Sequence, residues 1–466
     1  MTAIVWYRRD LRLDEHPALH AALGAHEAVV PVYCLDDRLL AGRHRSGPRT
    51  QFLLECLRDL DGALRERGSA LVLRHGRPEL ELAMLCDELR VDEVHVTAEV
   101  TPFAVRRDAR VKAALERRGV ALRRHAGLGV VDDLTAPRTR AGEAYTTFSP
   151  FHRSWLQEER RAVLDPPSDL PALPTGLRRG RVPSLRSLGL GERAAAPLPG
   201  GARPARARLK RFLEERVERY AEDRDRLVPG ATSRLSPYIH FGCVSAREIE
   251  SRLGAGRGSE AFRRQLAWRD FNHHLIAHHP RNATVELQAR YRGNIRWSRS
   301  RAQFEAWCDG RTGYPLVDAA MRQLRREGWM HNRARLVAGS FLTKDLGIDW
   351  RWGERHFMRW LLDGDQANNN GNWQWVASVG SDPQPAFRRI YSPTRQMAAH
   401  DPDGSYVRRH VPELAGVPDE YLREPWTMPR AVQRRAGCVI GEDYPAPIVD
   451  HAWARREALE RYRLAS

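Results

Sequence analysis

The stretch AIVWYRRDLRLDEHPALHAALGAHEAVVPVYCLD, Ala3 to Asp36, decides the first half of the fold. A β-branched apolar run gives way to a charged turn, then to helical spacing of alanine and leucine, then to a second β-branched run. The alternation continues with TQFLLECLRDLDGALRE as a helix, ALVLRHG as a strand, ELELAMLCDEL as a helix, DEVHVTA as a strand and VRRDARVKAALERRG as a helix. Strands separated by helices pair in parallel, so residues 1–130 read as an α/β unit with a doubly wound parallel sheet. Such sheets take ligands beyond the carboxyl ends of their strands. A conventional dinucleotide site there carries Gly-x-Gly-x-x-Gly after the first strand, and RRDLRLDEHPAL has none, so no such site is expected.

Outward from this unit, residues 131–204 dissolve into Pro, Gly and Arg (DPPSDLPALPTG, AAAPLPGGARP), with one expected helix around Phe151–Val163. This is a long inter-domain connection. From 205 to 466 the apolar spacing is helical, as in LKRFLEERVERYAEDRDRL and YPLVDAAMRQLRREGWMHNRARLVAGSFL, and the expected second domain is all-α. Nine of the thirteen tryptophans fall between 268 and 375, which marks that segment for attention.

Six cysteines without a Cys-x-x-Cys pair suggest neither zinc nor a disulfide framework. The N-terminus lacks the apolar core of a secretory signal and no run is long enough to span a membrane, so a cytoplasmic protein is expected. Lysine plus arginine total 76 against 59 acids. Arginine-rich codon usage raises the count everywhere, but residues 1–130 hold 21 basic and 19 acidic residues, leaving 55 and 40 for the rest. The excess belongs to the helical half, as expected of a polyanion-binding domain.

Taken alone, the local motifs have plain readings. GATSRLSPYIHFG (230–242) places Thr232, Ser233 and Ser236 before an apolar run, as a helix cap does, or as a phosphate cradle does. In FRRQLAWRDFNHHLIAHHP (262–280), Gln265, Trp268 and Arg269 share one side of a helix and suit either an amphipathic face or an unpaired base. The histidines at 273, 274, 278 and 279 lack the companions of a metal site. DGDQANNNGNWQW (363–375) reads as a polar loop, and Arg335 could pair with its Asp363.

Together, TSRLSPYIHFG, LAWRDF, GRTGYPLVDAAMRQL, GWMHNRARLVAGSFLTKDLGIDWRWGE and DGDQANNNGNWQWVAS, in that order, resemble the DNA photolyase and cryptochrome flavoproteins. WYRRDLRLDEHPAL and DYPAPIVDH extend the resemblance over almost the whole chain, nearest to the class I cyclobutane pyrimidine dimer photolyases. It implies an α/β antenna domain joined to a helical domain that holds FAD beneath a positively charged hole. Matched by motif position, FAD would be held by Tyr220, Thr232, Ser233, Arg234, Leu235, Ser236, Arg269, Arg335, Asp363, Gly364, Asp365 and Asn369, with Asn369 facing flavin N5. Trp373, Trp350 and Trp297 would relay electrons. Arg224, Gln265, Trp268, Asn332, Arg333, Trp375 and Gln396 would meet DNA, with Trp268 and Trp375 walling a pocket for a flipped dimer.

Two positions depart from the pattern of dimer photolyases. Gln265 replaces the usual glutamate, as in (6-4) photolyases, but Asn332 and Leu336 stand where those enzymes have histidines. The resemblance therefore implies light-dependent repair of cyclobutane dimers in UV-damaged DNA by a monomer, ahead of (6-4) repair or cryptochrome signalling. The chain ends fifteen residues past His451, short for a signalling tail. VTAEVTPFAVRRDARV resembles antenna domains that bind 8-hydroxy-5-deazaflavin more than those that bind methenyltetrahydrofolate. Asn372 stands where the family usually has glycine.

Overall fold

The computed structural model describes residues 1–465. Five parallel strands form one sheet in the order β3-β2-β1-β4-β5: β1 Thr2–Tyr7, β2 Ala28–Leu35, β3 Val72–His75, β4 Glu93–Thr97 and β5 Ala121–His125. β1 lies central, and both of its faces are covered. Ala3, Val5 and Tyr7 join a core that continues into the second half through Phe241, Phe262 and Phe271, while Ile4 and Trp6 pack with Val30, Val94 and Val111 on the other side. Burial on both faces is why the central strands read as unbroken apolar runs. β5 was not among the expected strands because its sequence, ALRRH, is half exposed at the sheet edge and carries arginines in place of a β-branched run.

Residues 131–204 wrap the first unit. Leu170 N donates to Arg67 O at 2.8 Å and Leu73 N to Arg179 O at 2.6 Å. The helix expected near 151–163 is instead Phe148–Trp155. Its end is fixed by Trp155, which is buried and donates through Nε1 to Asp270 at 3.1 Å. Asp270 also accepts from Val130 N at 2.9 Å, so one carboxylate joins the connection to the Arg257–His278 helix.

The second half is helical, and Ala202–Glu215 begins it. A separate core there contains Trp307, Trp350 and Trp373. Replacing the fully buried Asp270 by Ala strands the Val130 amide and the Trp155 indole without acceptors. At ~1–3 kcal/mol for each of the two orphaned donors, Asp270→Ala should lower stability by about 2–6 kcal/mol, read as a lower urea midpoint at unchanged slope.

Candidate active site

A cavity of 290 Å³ opens where the Arg257–His278, Asn332–Ser340 and Gln366–Val376 helices meet the loop before Ser236–Phe241. That loop supplies Thr232, Ser233, Arg234 and Leu235, with Ser236 opening the helix. Arg234 has φ of +53°, uncommon for a side-chain-bearing residue, and Leu235 beside it is right-handed. Alternation of hand turns successive N–H groups toward one point, the geometry of an anion-binding nest. The Arg234 guanidinium lies 4.3 Å from the Trp329 ring centre and pairs with Glu327 at 2.5 Å.

Opposite the loop, Arg335 is held by its own turn and by an acid. Its Nε donates to Met330 O at 2.9 Å and its Nη2 to Asp363 Oδ2 at 2.8 Å, the ion pair suggested by the sequence. Asp363 Oδ1 is buried and has no hydrogen-bond partner.

The run expected as a loop is helix Gln366–Val376, because Asp365 caps it. Asp365 Oδ1 accepts from Asn368 N at 2.7 Å and from Asn368 Nδ2 at 2.8 Å, satisfying orphan donors of the first turn. Its Oδ2 pairs with Arg9 Nη2 at 2.5 Å and lies 3.5 Å from His273 Nε2. Burial opposes the Asp365 charge, but Arg9, His273 and His240 overcome it and hold the pKa well below the ordinary carboxylate value.

The amides have separate tasks. Asn369 Nδ2 donates to Glu354 O at 2.9 Å, so its Oδ1 is the group left to accept from a ligand. Asn370 Oδ1 accepts from Gln374 at 3.2 Å, and Asn272 donates to Asn368 Oδ1 at 3.1 Å. Asn372 lines the cavity and donates to Asn368 O at 2.7 Å, which gives the unusual residue a local anchor. Gly353 leaves room for the Trp373 ring, which a Cβ there would strike.

Four arginines, Arg9, Arg234, Arg269 and Arg335, line this cavity with two acids, Asp363 and Asp365. A flavin dinucleotide fits this donor set. Its pyrophosphate matches the hydroxyl loop and the excess positive charge, and an N–H of its ring system matches the orphaned Asp363 Oδ1.

Of the FAD positions implied by the sequence, all but Gly364 line the cavity. Gly364 instead gives passage to Arg49, whose Nη1 donates to Met358 O at 2.5 Å and which a Cβ at 364 would strike. Gln265 and Asn332 line the same cavity, but Trp268 and Trp375 do not. The Trp268 ring stacks on Phe148 at 3.7 Å between centres, and Arg389 lies 3.8 Å from the Trp375 ring centre, so each indole has one covered face. Arg333 pairs with Asp225 at 2.9 Å. Arg224 and Gln396 also lie outside the lining, both half-buried.

Trp373 meets Phe357 at 4.9 Å and Trp307 at 6.2 Å. Trp350 is buried against Glu286 at 3.3 Å and Trp297 is half-buried. Sequence reasoning missed Arg9, His240 and Trp329. The pairing of Arg9 with Asp365 across 356 residues leaves no local trace beyond the charged turn after β1.

The crevice at the β1/β4 switch point is filled by the chain itself. Arg8 pairs with Asp108 at 2.6 Å and Arg107 with Glu99 at 2.8 Å, all four buried, and Trp6 lies within 5 Å of both guanidiniums at 4.7 and 4.9 Å. Burial works against the Glu99 charge, yet Arg8, Arg107 and Arg9 bring its pKa down to about 2. The histidines join segments: His274 bonds Leu134 O at 3.1 Å, and His278 bonds Thr135 O at 3.3 Å.

Comparison with known proteins places the chain among relatives. Residues 3–174 match the family model described as DNA photolyase, and residues 262–464 match the FAD binding domain of DNA photolyase. A deoxyribodipyrimidine photo-lyase from Streptomyces griseus is 41% identical, with 97% of each chain covered. A cryptochrome DASH from Gloeobacter violaceus is 37% identical, covering 96% of this chain and 93% of its own. The structure of a class III photolyase from Agrobacterium tumefaciens has a TM-score of 0.91 at 34% identity, covering 100% and 97%. An archaeal photolyase from Sulfolobus tokodaii, solved with two FAD molecules and discussed as implying a novel light-harvesting cofactor, has a TM-score of 0.85 at 30% identity, covering 99% and 100%. With family models matching residues 3–174 and 262–464 and a relative 41% identical over 97% of each chain, the chain belongs to the DNA photolyase family.

Proposed function

We propose that this chain is a light-driven lyase that repairs cyclobutane pyrimidine dimers in DNA. The observation that carries the reading is one cavity in which the Arg335–Asp363 pair, with its orphaned Oδ1, faces Gln265 and Asn332. FAD, when bound and reduced, supplies the photoexcited electron that opens the cyclobutane ring and then returns, with no net redox change. The residues do the holding. The Thr232–Ser236 loop and Arg269 take the phosphates, Arg335 with Asp363 orients the ring system, and Asn369 presents an acceptor beside it.

The lesion, flipped from the stack, would enter beside Gln265 and Asn332, which line the cavity, and Trp268 and Trp375, which lie outside that lining, would offer it the ring face that Phe148 and Arg389 leave uncovered. Arg224, Arg333 and Gln396 would contact the strand. Trp297, Trp350 and Trp373 would pass electrons inward to restore the reduced cofactor, ending at Trp373, which lines the cavity. Among the described residues no helix is long and apolar enough to cross a membrane, and the protein would act as a cytoplasmic monomer. A second, light-harvesting chromophore accompanies this reading, 8-hydroxy-5-deazaflavin first and methenyltetrahydrofolate second.

The binding half of the proposal is tested by FAD content and by affinity for dimer-containing against undamaged DNA. Preference for the lesion, with affinity that falls as salt rises, is expected. Equal affinity for both DNAs overturns it. At Gln265 the amide donates but carries no charge. Gln265→Glu restores an acidic partner for the lesion and should raise dimer repair about fivefold, the worth of ~1 kcal/mol, at unchanged FAD content. An unchanged rate means that the position does not act on the lesion.

A further inference from the structure

β4 is apolar on one face only. Val94 and Val96 pack with Ile4 and Val111, so Glu93, His95 and Thr97 turn to the opposite face, the one that the Pro17–Ala25 helix covers. That helix ends at His26, whose ring meets the His95 ring edge-on at 5.6 Å. His125, the last residue of β5, stacks on His95 at 5.1 Å between centres. Three imidazoles and one carboxylate therefore gather near the sheet edge, and none of them lines the flavin-type cavity.

Three ligand-type atoms converge there. Glu93 Oε2 lies 3.4 Å from His26 Nε2 and 3.2 Å from His95 Nε2, and all three atoms are within 4.8 Å of one another. Among the described residues no other three His, Cys, Asp or Glu side chains come together so closely. The His26 and His95 side chains are only 4% and 3% exposed, whereas Glu93 is 20% exposed and leaves a way in from solvent.

The plain reading is two imidazoles sharing one carboxylate, but His95 does not fit it. Both separations exceed the usual ~2.9–3.0 Å of an N–H···O bond. Only the His26 contact is aligned as a hydrogen bond, and His95 Nε2 is buried without a partner. His95 Nδ1 lies 3.0 Å from His125 Nε2, so one of those two nitrogens donates to the other. If His125 donates, the His95 Nε2–H faces Glu93 out of line for a bond. If His95 donates, its Nε2 turns a lone pair toward a carboxylate oxygen 3.2 Å away. A cation between the three atoms removes the conflict. Around a tetrahedral ion with bonds of ~2.0–2.1 Å, neighbouring ligand atoms stand ~3.3–3.4 Å apart, close to the two separations found here. The surroundings suit such an ion as well. His125 is then the outer acceptor that orients a metal-bound imidazole, and Arg123 Nε donates to Glu93 Oε1 at 2.8 Å, which leaves Oε2 free to turn inward.

From this convergence we propose that His26, Glu93 and His95 form a binding site for one divalent transition-metal ion of the zinc class, with water in the fourth position. Two imidazole nitrogens select such an ion over magnesium or calcium, which take oxygen ligands. The ion ties the end of the first helix to β4 and acts on the stability of the α/β unit, whatever the chain does with light.

The test strips the full-length, FAD-loaded protein with a chelator, adds zinc chloride, counts bound zinc by equilibrium dialysis and reads the thermal unfolding midpoint. One equivalent is expected, with a midpoint raised by about 3 °C at free zinc a hundredfold above its Kd. His26→Gln and Glu93→Gln should each weaken zinc binding about tenfold or more and remove the rise. His75→Gln, at an exposed histidine that pairs with Asp37 at 2.8 Å, should change neither. Retained FAD absorbance shows that the variants are folded. X-ray absorption of the zinc-loaded wild type, which needs no variant, should show two imidazoles among four ligands. Failure to bind zinc, binding unchanged in both His26→Gln and Glu93→Gln, or a zinc ion without two imidazoles overturns the site.

Discussion

Asp365→Ala should lower stability by about 3–5 kcal/mol, the cost of breaking a buried ion pair by removing one partner. Asp365 is only 3% exposed, and three separate structures depend on its two oxygens. One oxygen caps the helix that carries Asn369 and Trp373, and the other pairs with Arg9 from the turn after β1 and faces His273. The substitution leaves half-enclosed Arg9 with only the more distant Glu99, at 3.8 Å, as an acidic partner, and frays the first turn of the site helix. Loss of FAD together with a lower unfolding midpoint is the expected result; wild-type stability with FAD loss alone would confine Asp365 to a cofactor contact. The pH dependence has a definite sign. The folded pKa is depressed below the unfolded value of ~3.9, so the Asp365 contribution is complete above that value and disappears as pH falls through the folded pKa. Asp365→Ala should therefore flatten the acid limb of the stability profile.

Asp363→Ala is expected to weaken FAD binding about 10- to 100-fold, from the ~1.5–3 kcal/mol of a hydrogen bond to a charged group. Asp363 does two things at once. Its Oδ2 neutralises Arg335 at 2.8 Å, and its Oδ1 is the buried acceptor without a partner. Asp363→Asn keeps the shape and one acceptor but loses the charge, so its affinity should fall between wild type and Asp363→Ala. Titration of the FAD-free proteins with FAD checks the order. Equal affinity in all three would remove the Arg335–Asp363 pair from the cofactor site.

The parallel sheet was legible because its central strands are buried on both faces and read as apolar runs. β5 was not, since an edge strand needs an apolar residue on only one side and Arg123 and Arg124 are exposed. In the site, the residues carried by contiguous motifs met as expected, because a loop and its following helix bring them along together. What escaped the sequence was long-range or mutual. Arg9 reaches Asp365 from the other end of the chain, and the asparagine run forms a helix that Asp365 caps and that packs through buried Ala367, Trp373 and Val376. Trp268 and Trp375 kept their positions in the motif, but their packing depends on Phe148 and Arg389, which no local pattern discloses. Gly364 looked like part of the cofactor site from its neighbours, and its absent side chain makes way for Arg49 instead.

The central claim is that reduced flavin in this cavity repairs dimers only when it absorbs light. The most direct measurement incubates the reduced, FAD-loaded protein with single-stranded DNA containing cyclobutane thymine dimers, in light and in darkness, and follows the return of ultraviolet absorbance by intact thymines. The account predicts recovery in light, none in darkness, and none in light with protein lacking FAD. No recovery in light from protein that holds reduced FAD and binds the DNA would contradict it.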